Sequence, residues 1–174
     1  MTHLLSSKLR AYPFFSLRED LLEHLDGRTY AYSFLHIPVE AAAILAKDDA
    51  GRWLLTREYR HPTGERLLGC PGGRFEQGEA PHEGALREFR EETGYTAEEL
   101  IPLGATYPLA GLTNQKIHYF FAPKIRLVGT PQFDPFEFIE IEWKTPKELD
   151  EELRSSQHVD GVLCNALFRY HLSL

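Results

Sequence analysis

Glu79, Glu88, Glu91 and Glu92 fall within one stretch, Gly73 to Tyr95, which reads GRFEQGEAPHEGALREFREETGY. On a helix, Glu88, Glu91 and Glu92 stand at i, i+3 and i+4 and share one face, one turn apart. Like charges at that spacing repel and weaken the helix, and a cation removes the penalty. Carboxylate oxygens are hard ligands, so Mg²⁺ suits them and Mn²⁺ is the alternative; no Cys or His pattern points to Zn²⁺. Directly ahead lies Cys70-Pro71-Gly72-Gly73, a tight loop. Its two glycines can take positive φ and bring a carbonyl close to a metal.

The surrounding residues predict how that face is held. Glu79-Ala80-Pro81-His82 reads as a helix start with Pro81 in the first turn. Ala85, Leu86 and Phe89 supply an apolar stripe opposite the acidic face. Gly94 suits the left-handed cap that ends the helix. Arg87 lies four residues before Glu91, close enough to pair with that carboxylate and orient it.

Gly73, Glu79, Arg87, Glu88, Phe89, Glu91, Glu92, Gly94 and Tyr95 stand at the spacing G-x5-E-x7-R-E-U-x-E-E-x-G-U, with U apolar. The stretch resembles the Nudix box at every fixed position, Tyr95 being a variant of the last apolar one. At average residue usage such a match would arise in well under roughly one in ten million starts. A solvated charged helix explains neither the glycines nor the spacing. The resemblance implies a metal-dependent hydrolase that cleaves a nucleoside diphosphate linked to another group. It implies Glu88 and Glu92 as metal ligands, Glu91 next, and the Gly72 carbonyl beside them. Arg87 would orient the carboxylates, and Glu79 would support the site or bind a metal through water. Hydrolysis of nucleoside triphosphates or dinucleoside polyphosphates is the alternative within the family. A non-catalytic binding module is the alternative outside it; such modules usually lose box glutamates, and this chain keeps them all.

Substrate choice must lie outside the box. Glu58-Tyr59-Arg60-His61-Pro62 resembles the Q-Y/F-R-x-P segment of the ADP-ribose and nucleotide-sugar pyrophosphatase branch, which implies that Arg60 contacts phosphate. The plainer reading of Arg60 is a solvated charge at a strand end. Gly69-Cys70-Pro71-Gly72-Gly73 parallels that branch's E-L-P-A-G, with Gly69 in place of the Glu. Tyr107-Pro108-Leu109-Ala110-Gly111 resembles its Y-P-S-P-G, but Ala110 replaces the second Pro, so ADP-ribose and other nucleotide sugars stay open. Tyr30, Tyr32 and Phe34 alternate on one strand face. They either pack across strands or, as the resemblance implies, stack on a nucleobase across a dimer. One helix lines only one side of the phosphates, so a general base or last ligand must come from elsewhere. Phe136-Glu137-Phe138-Ile139-Glu140 resembles the branch's acidic strand, with Glu137 the candidate and Glu140 its rival on the opposite face. The loop from Gly129 to Pro135 has the length of a flap. His118 reads as an ordinary strand residue, and Cys70 lacks the partners of a nucleophile.

The chain has 174 residues, 43% of them hydrophobic, and a net charge of −7. That suggests one sizeable core, and the charge argues against a nucleic-acid or anionic-membrane surface. Phosphates can still bind where a metal bridges them. Two cysteines make no disulfide framework, so a reducing cytoplasm is expected. No apolar run is long enough to span a bilayer, and no leader pattern is seen. Residues 1–13 read as an irregular lead-in. Residues 17–25 fit a helix or a strand; Asp26-Gly27, a hairpin turn before Thr29 to Ile37, favours the strand. Strands follow over Val39 to Ala46, Trp53 to Tyr59, Arg66 to Leu68, Leu103 to Tyr107, Lys116 to Pro123 and Phe136 to Trp143. Thr145 and Asp160 cap two final helices. The pattern predicts an α/β (α+β) sandwich, a mixed sheet between helices. Residues 1–38 would form an N-terminal strand extension and 39–174 the hydrolase domain. The extension, about Phe14 to Ile37, is expected to build a homodimer interface.

Overall fold

The computed structural model describes residues 2–133 and 138–174. Three N-terminal strands form a sheet of their own: β1 (Thr2–Ala11), β2 (Ser16–His24) and β3 (Thr29–His36), antiparallel in that order. The turn at Asp26-Gly27 joins β2 to β3, so the ambiguous segment is a strand up to His24 and not a helix. β1 overturns the irregular lead-in expected for residues 1–13. Its residues are all exposed, so it has no buried face to write a period into its sequence. The ladder to β2 holds it instead, with a bulge between Leu4 and Ser6.

The second sheet is the body of the molecule. Its strands are β4 (Ala41–Lys47), β5 (Trp53–Arg60), β6 (Glu65–Gly69), β8 (Ile101–Thr106), β9 (Ile117–Ala122) and β11 (Ile139–Lys144). They run in the order β11-β5-β4-β9-β8, with β6 also paired to β5. β4 and β9 are parallel and the other pairs antiparallel, so the sheet is mixed as expected. Two three-residue strands, β7 (Tyr95–Ala97) and β10 (Ile125–Leu127), pair beside it. They are too short to leave a periodicity, and sequence reading missed them.

β4 shows how the layers are made. Ala41, Ala43 and Leu45 point to one face, where Leu149, Leu163 and Ala166 meet them; Ala42, Ile44 and Ala46 point to the other, where Ala85 and Phe89 lie. Helix α1 (Pro81–Thr93) therefore covers one side, and α2 (Pro146–Ser155) and α3 (Gly161–Leu172) the other. Alanines on β4 let the helices approach closely. Thr145 and Glu148 form a reciprocal capping box at α2, and Asp160 accepts a 2.8 Å hydrogen bond from Val162 N at α3. No helix among the described residues is long and apolar enough to cross a membrane.

A charged clamp ties β5, β11 and α2 together. Arg57 bonds Glu142 at two points and Glu152 at 2.7 Å. Lys144 Nζ lies 2.9 Å from Glu142 and 2.8 Å from Glu152. Arg57, and then Lys144, hold Glu142 below the usual carboxylate range. A carboxylate held low in the folded state stabilises it above the unfolded pKa, near 4.5, and that stability is lost as pH falls through the lower folded value. In urea unfolding at pH 7, Glu142→Gln is expected to cost about 1–2 kcal/mol, since the pair is only partly buried. The gap from wild type should narrow as pH falls below 4.5. A gap that stays constant down to pH 3 would show that the charge of Glu142 contributes nothing.

Candidate active site

The glycine loop docks on β4 like an added strand. Ala42 N donates to Gly73 O at 2.9 Å and Ile44 N to Pro71 O at 2.8 Å. Alternation along this extended segment turns the Gly72 carbonyl away from β4. Gly72 sits at φ 144°, and a Cβ there would overlap the carbonyl oxygen of Ala42. Only glycine fits on both counts. A Cβ on Gly73 would overlap Oε2 of Glu88, so the second glycine lets that carboxylate lie against the loop.

Helix α1 meets the loop through Glu92, whose Oε2 accepts from Gly72 N at 2.8 Å. Ala85 and Phe89 are fully buried beneath, so the opposite face with Glu88, Glu91 and Glu92 turns to the loop as expected. Pro81 starts the helix behind Ala80, and Gly94 ends it at φ 74°. The segment after β10 is fastened to the same end: Gln132 N donates to Glu91 O at 2.7 Å and Gly129 N to Gly94 O at 3.1 Å.

Arg87 holds the carboxylates together. Nε and Nη2 donate to the two oxygens of Glu79, each at 2.9 Å. Nη1 donates to Glu88 and to Glu91, again at 2.9 Å, and Nη2 reaches Arg74 O at 3.1 Å. The pairings with Glu88 and Glu91 are those of an arginine that orients the carboxylates; the fork to Glu79 was not foreseen. Arg87 holds Glu79 below the usual carboxylate range, and Glu79 first among its partners raises the guanidinium. Glu79 therefore lies behind Arg87 as a buttress and does not line the cleft. The donor set of the site is carboxylate and carbonyl oxygen, the chemistry of a hard divalent cation. Among the described residues no three acidic, His or Cys side chains already converge on one point; Arg87 holds one oxygen each of Glu88 and Glu91.

Glu88, Glu91 and Glu92 line a cleft of about 980 Å³ with Gly72 and Arg60. That is room for a nucleotide-sized ligand. Arg60 reaches it from the end of β5, paired with Glu58 at 2.6 Å. Tyr30 and Tyr32 do not line it. Tyr32 packs on Phe34 and donates to Gly111 O at 2.8 Å, so within one chain these rings pack and anchor the loop at 107–112. The aromatic wall of the cleft is Phe14 and Phe15 instead, from the turn between β1 and β2, with Arg74 over the Phe14 ring at 4.5 Å. Sequence reading assigned them to the extension expected at a dimer interface and not to the cleft. It also missed Thr56 and, at the cleft, Asp160, which it recognised only as a cap. Glu137 lies outside the described residues. Its rival Glu140 is 63% exposed, pairs with Arg66 at 2.9 Å and does not line the cleft. His118 is a β9 residue bonded to Glu40. Burial, and then the charges of Asp160 and Glu92, push the Cys70 thiol far up, away from the thiolate form.

A NUDIX-domain family model matches residues 37–163. The chain is 35% identical over 102 residues to an ADP-ribose pyrophosphatase of Bacillus subtilis, a match spanning 58% of this chain but only 55% of that relative. It is 30% identical over 126 residues to a methanol dehydrogenase activator of Bacillus methanolicus, covering 72% and 68% of the two chains. The fold is that of a solved ADP compounds hydrolase, with TM-score 0.88 over 99% of this chain and 94% of that one, at 23% identity.

Gly72→Ala tests the loop geometry. It should lower stability by about 2 kcal/mol or more, from the left-handed backbone and the collision with β4. Gly78→Ala is the control, since a Cβ there meets nothing within 4 Å although φ is 83°; it should cost only the backbone share, about 1 kcal/mol. Equal melting temperatures for the two variants would refute the close approach.

Proposed function

Because the chain belongs to the Nudix family, we propose that it hydrolyses the pyrophosphate bond of a nucleoside diphosphate linked to another group, ADP-ribose or a nucleotide sugar. The observation that carries this is the row of Glu88, Glu91 and Glu92 facing a nucleotide-sized cleft beside the Gly72 carbonyl. The likeness to an ADP-ribose pyrophosphatase of Bacillus subtilis supports ADP-ribose as the first substrate to try.

Glu88, Glu92, Glu91 and the Gly72 carbonyl would hold Mg²⁺, with Mn²⁺ as the substitute. Such a cation neutralises bridging phosphate oxygens and lowers the pKa of the attacking water. Arg87 is a positioning residue: it fixes the carboxylates and touches no reacting atom. Glu79 keeps Arg87 in place, and Arg60 binds the phosphates. Glu137 takes the proton of the attacking water. The water oxygen bonds to one phosphorus as the bridging P–O bond breaks, which yields a nucleoside monophosphate and the phosphorylated second group. Residues 1–38 form an extension to the hydrolase domain and pair two copies into a homodimer; only a second copy could bring Tyr30 or Tyr32 to a cleft. The two free cysteines suit a reducing cytoplasm.

A phosphate-release screen with Mg²⁺ over ADP-ribose, nucleotide sugars, nucleoside triphosphates and dinucleotides tests the assignment. Turnover of none of them sinks it. Chelation of the divalent cation should abolish activity. Glu92→Gln should lower kcat about 10³-fold with little change in melting temperature, since it removes charge that acts on the transition state. Glu137→Gln should lower kcat far more than KM, and Glu140→Gln should do neither. Wild-type kcat for Glu137→Gln would remove that residue from the mechanism.

A further inference from the structure

The cleft extends past the acidic row of α1 to the segment ahead of α3. There β6 ends at Gly69, and the chain before α3 runs alongside: Leu68 N donates to His158 O and Asp160 N to Leu68 O, both at 2.8 Å. This pairing carries Asp160 to the cleft wall beside Thr56 of β5. Gly69 lies between the two. A Cβ there would stand 3.4 Å from Thr56 Oγ1 and 3.9 Å from Asp160 Cβ, so the missing side chain leaves the corner open. Val162 and Cys70 border it.

Both polar groups of the corner keep hydrogen-bonding capacity. Asp160 gives Oδ1 to Val162 N, and among the described residues no cation pairs with its carboxylate. Thr56 is only 4% exposed, and among the described residues no side-chain bond engages its hydroxyl. A carboxylate without a counter-cation repels phosphate, so a phosphate is the wrong occupant. An acceptor-only carboxylate beside a hydroxyl that can donate or accept matches the vicinal hydroxyls of a sugar. A carboxylate holding a ribose hydroxyl is a general solution to that problem. The borders from Val162 and Cys70 suit the carbon face of the ring.

We propose that Asp160 and Thr56 are specificity-determining residues that bind the vicinal hydroxyls of the sugar at the uncharged end of the substrate. The proposal rests on reading the cleft as a nucleoside diphosphate site, and it adds which end of the ligand enters the corner.

Asp160→Ser tests it without removing the helix cap, because Ser caps nearly as well as Asp while its short side chain withdraws from the corner. Thr56→Val is the second variant, close in shape and lacking the hydroxyl. Each is compared with wild type on ADP-ribose and on the methyl ester of ADP, which has the same pyrophosphate but no second sugar. For ADP-ribose, kcat/KM should fall about 10- to 100-fold in Asp160→Ser and about 3- to 10-fold in Thr56→Val, mainly through KM. The ester should change less than about 2-fold in either. An equal fall on both compounds, or no fall on ADP-ribose, overturns the proposal. Should wild type hydrolyse neither compound, the proposed function fails. Calorimetric titration with ADP-ribose then decides the corner alone. Affinity that weakens in both variants supports it; equal affinity of wild type and variants, or no binding to wild type, overturns it.

Discussion

One guanidinium meets four demands at once. Glu88, Glu91 and Glu92 crowd one face of α1, and Glu79 adds a fourth charge at its start. Left alone these carboxylates repel, and the helix would lose stability just where the site needs a fixed wall. Arg87 spans three of them and the Arg74 carbonyl, so its planar fork is saturated and its rotamer locked. Lysine could neutralise one charge but has no fork with which to bridge the set. The fourth member, Glu92, is held from the other side by Gly72 N. Helix and loop are thereby set at one distance, and the loop's own place is fixed by the contact of Gly72 with β4.

That contact explains why the site survives on a sheet whose edges are so different. The central strand β4 supplies Ala41, Ala42 and Ala43 to the cleft floor, and side chains this small let both the glycine loop and the helices come near. The charged clamp of Arg57, Glu142, Lys144 and Glu152 uses the opposite face of β5: Arg57 lies between Thr56 and Glu58, which both line the cleft. β5 therefore serves both: one face anchors β11 and α2 through Arg57, and the other offers Thr56, Glu58 and Arg60 to the cleft. A shift of β11 would reach the phosphate site through this one strand.

The sequence made the helix, its glycine cap, its apolar face and its orienting arginine legible, because each depends on residues within a few positions. The mixed sheet between helices was legible for the same reason, summed over strands with clear composition. What escaped depended on distant chain. β1 has no buried face, and β7 and β10 are three residues each, so none leaves a period. Phe14 and Phe15 reach the cleft only because that N-terminal sheet folds back on the box loop, where Arg74 meets them. Asp160 reads as a cap from its neighbours, and its place in the cleft comes from a pairing with β6 some ninety residues earlier. The alternation of Tyr30 and Tyr32 marked a shared strand face, but alternation cannot say what the face meets.

The charge of the cleft carries the last step. On the proposed function, a chain of net charge −7 would hold an anionic ligand in a cleft lined by Glu58, Glu76, Glu88, Glu91 and Glu92. Three arginines line the same space, and two of them already have acidic partners: Arg87 with its carboxylates, Arg60 with Glu58. Arg74 lies over Phe14 and meets no carboxylate within ion-pair distance among the described residues. One such arginine could not balance two phosphates against five glutamates. On that reading, bound cations would reverse the sign of the α1 wall, and phosphates would then lie between it and Arg60. Asp160 adds a carboxylate with no cation partner among the described residues at the Thr56 corner of the cleft. On the proposed function, cations at the α1 wall and that uncompensated carboxylate would orient a ligand charged in its middle and neutral at its end.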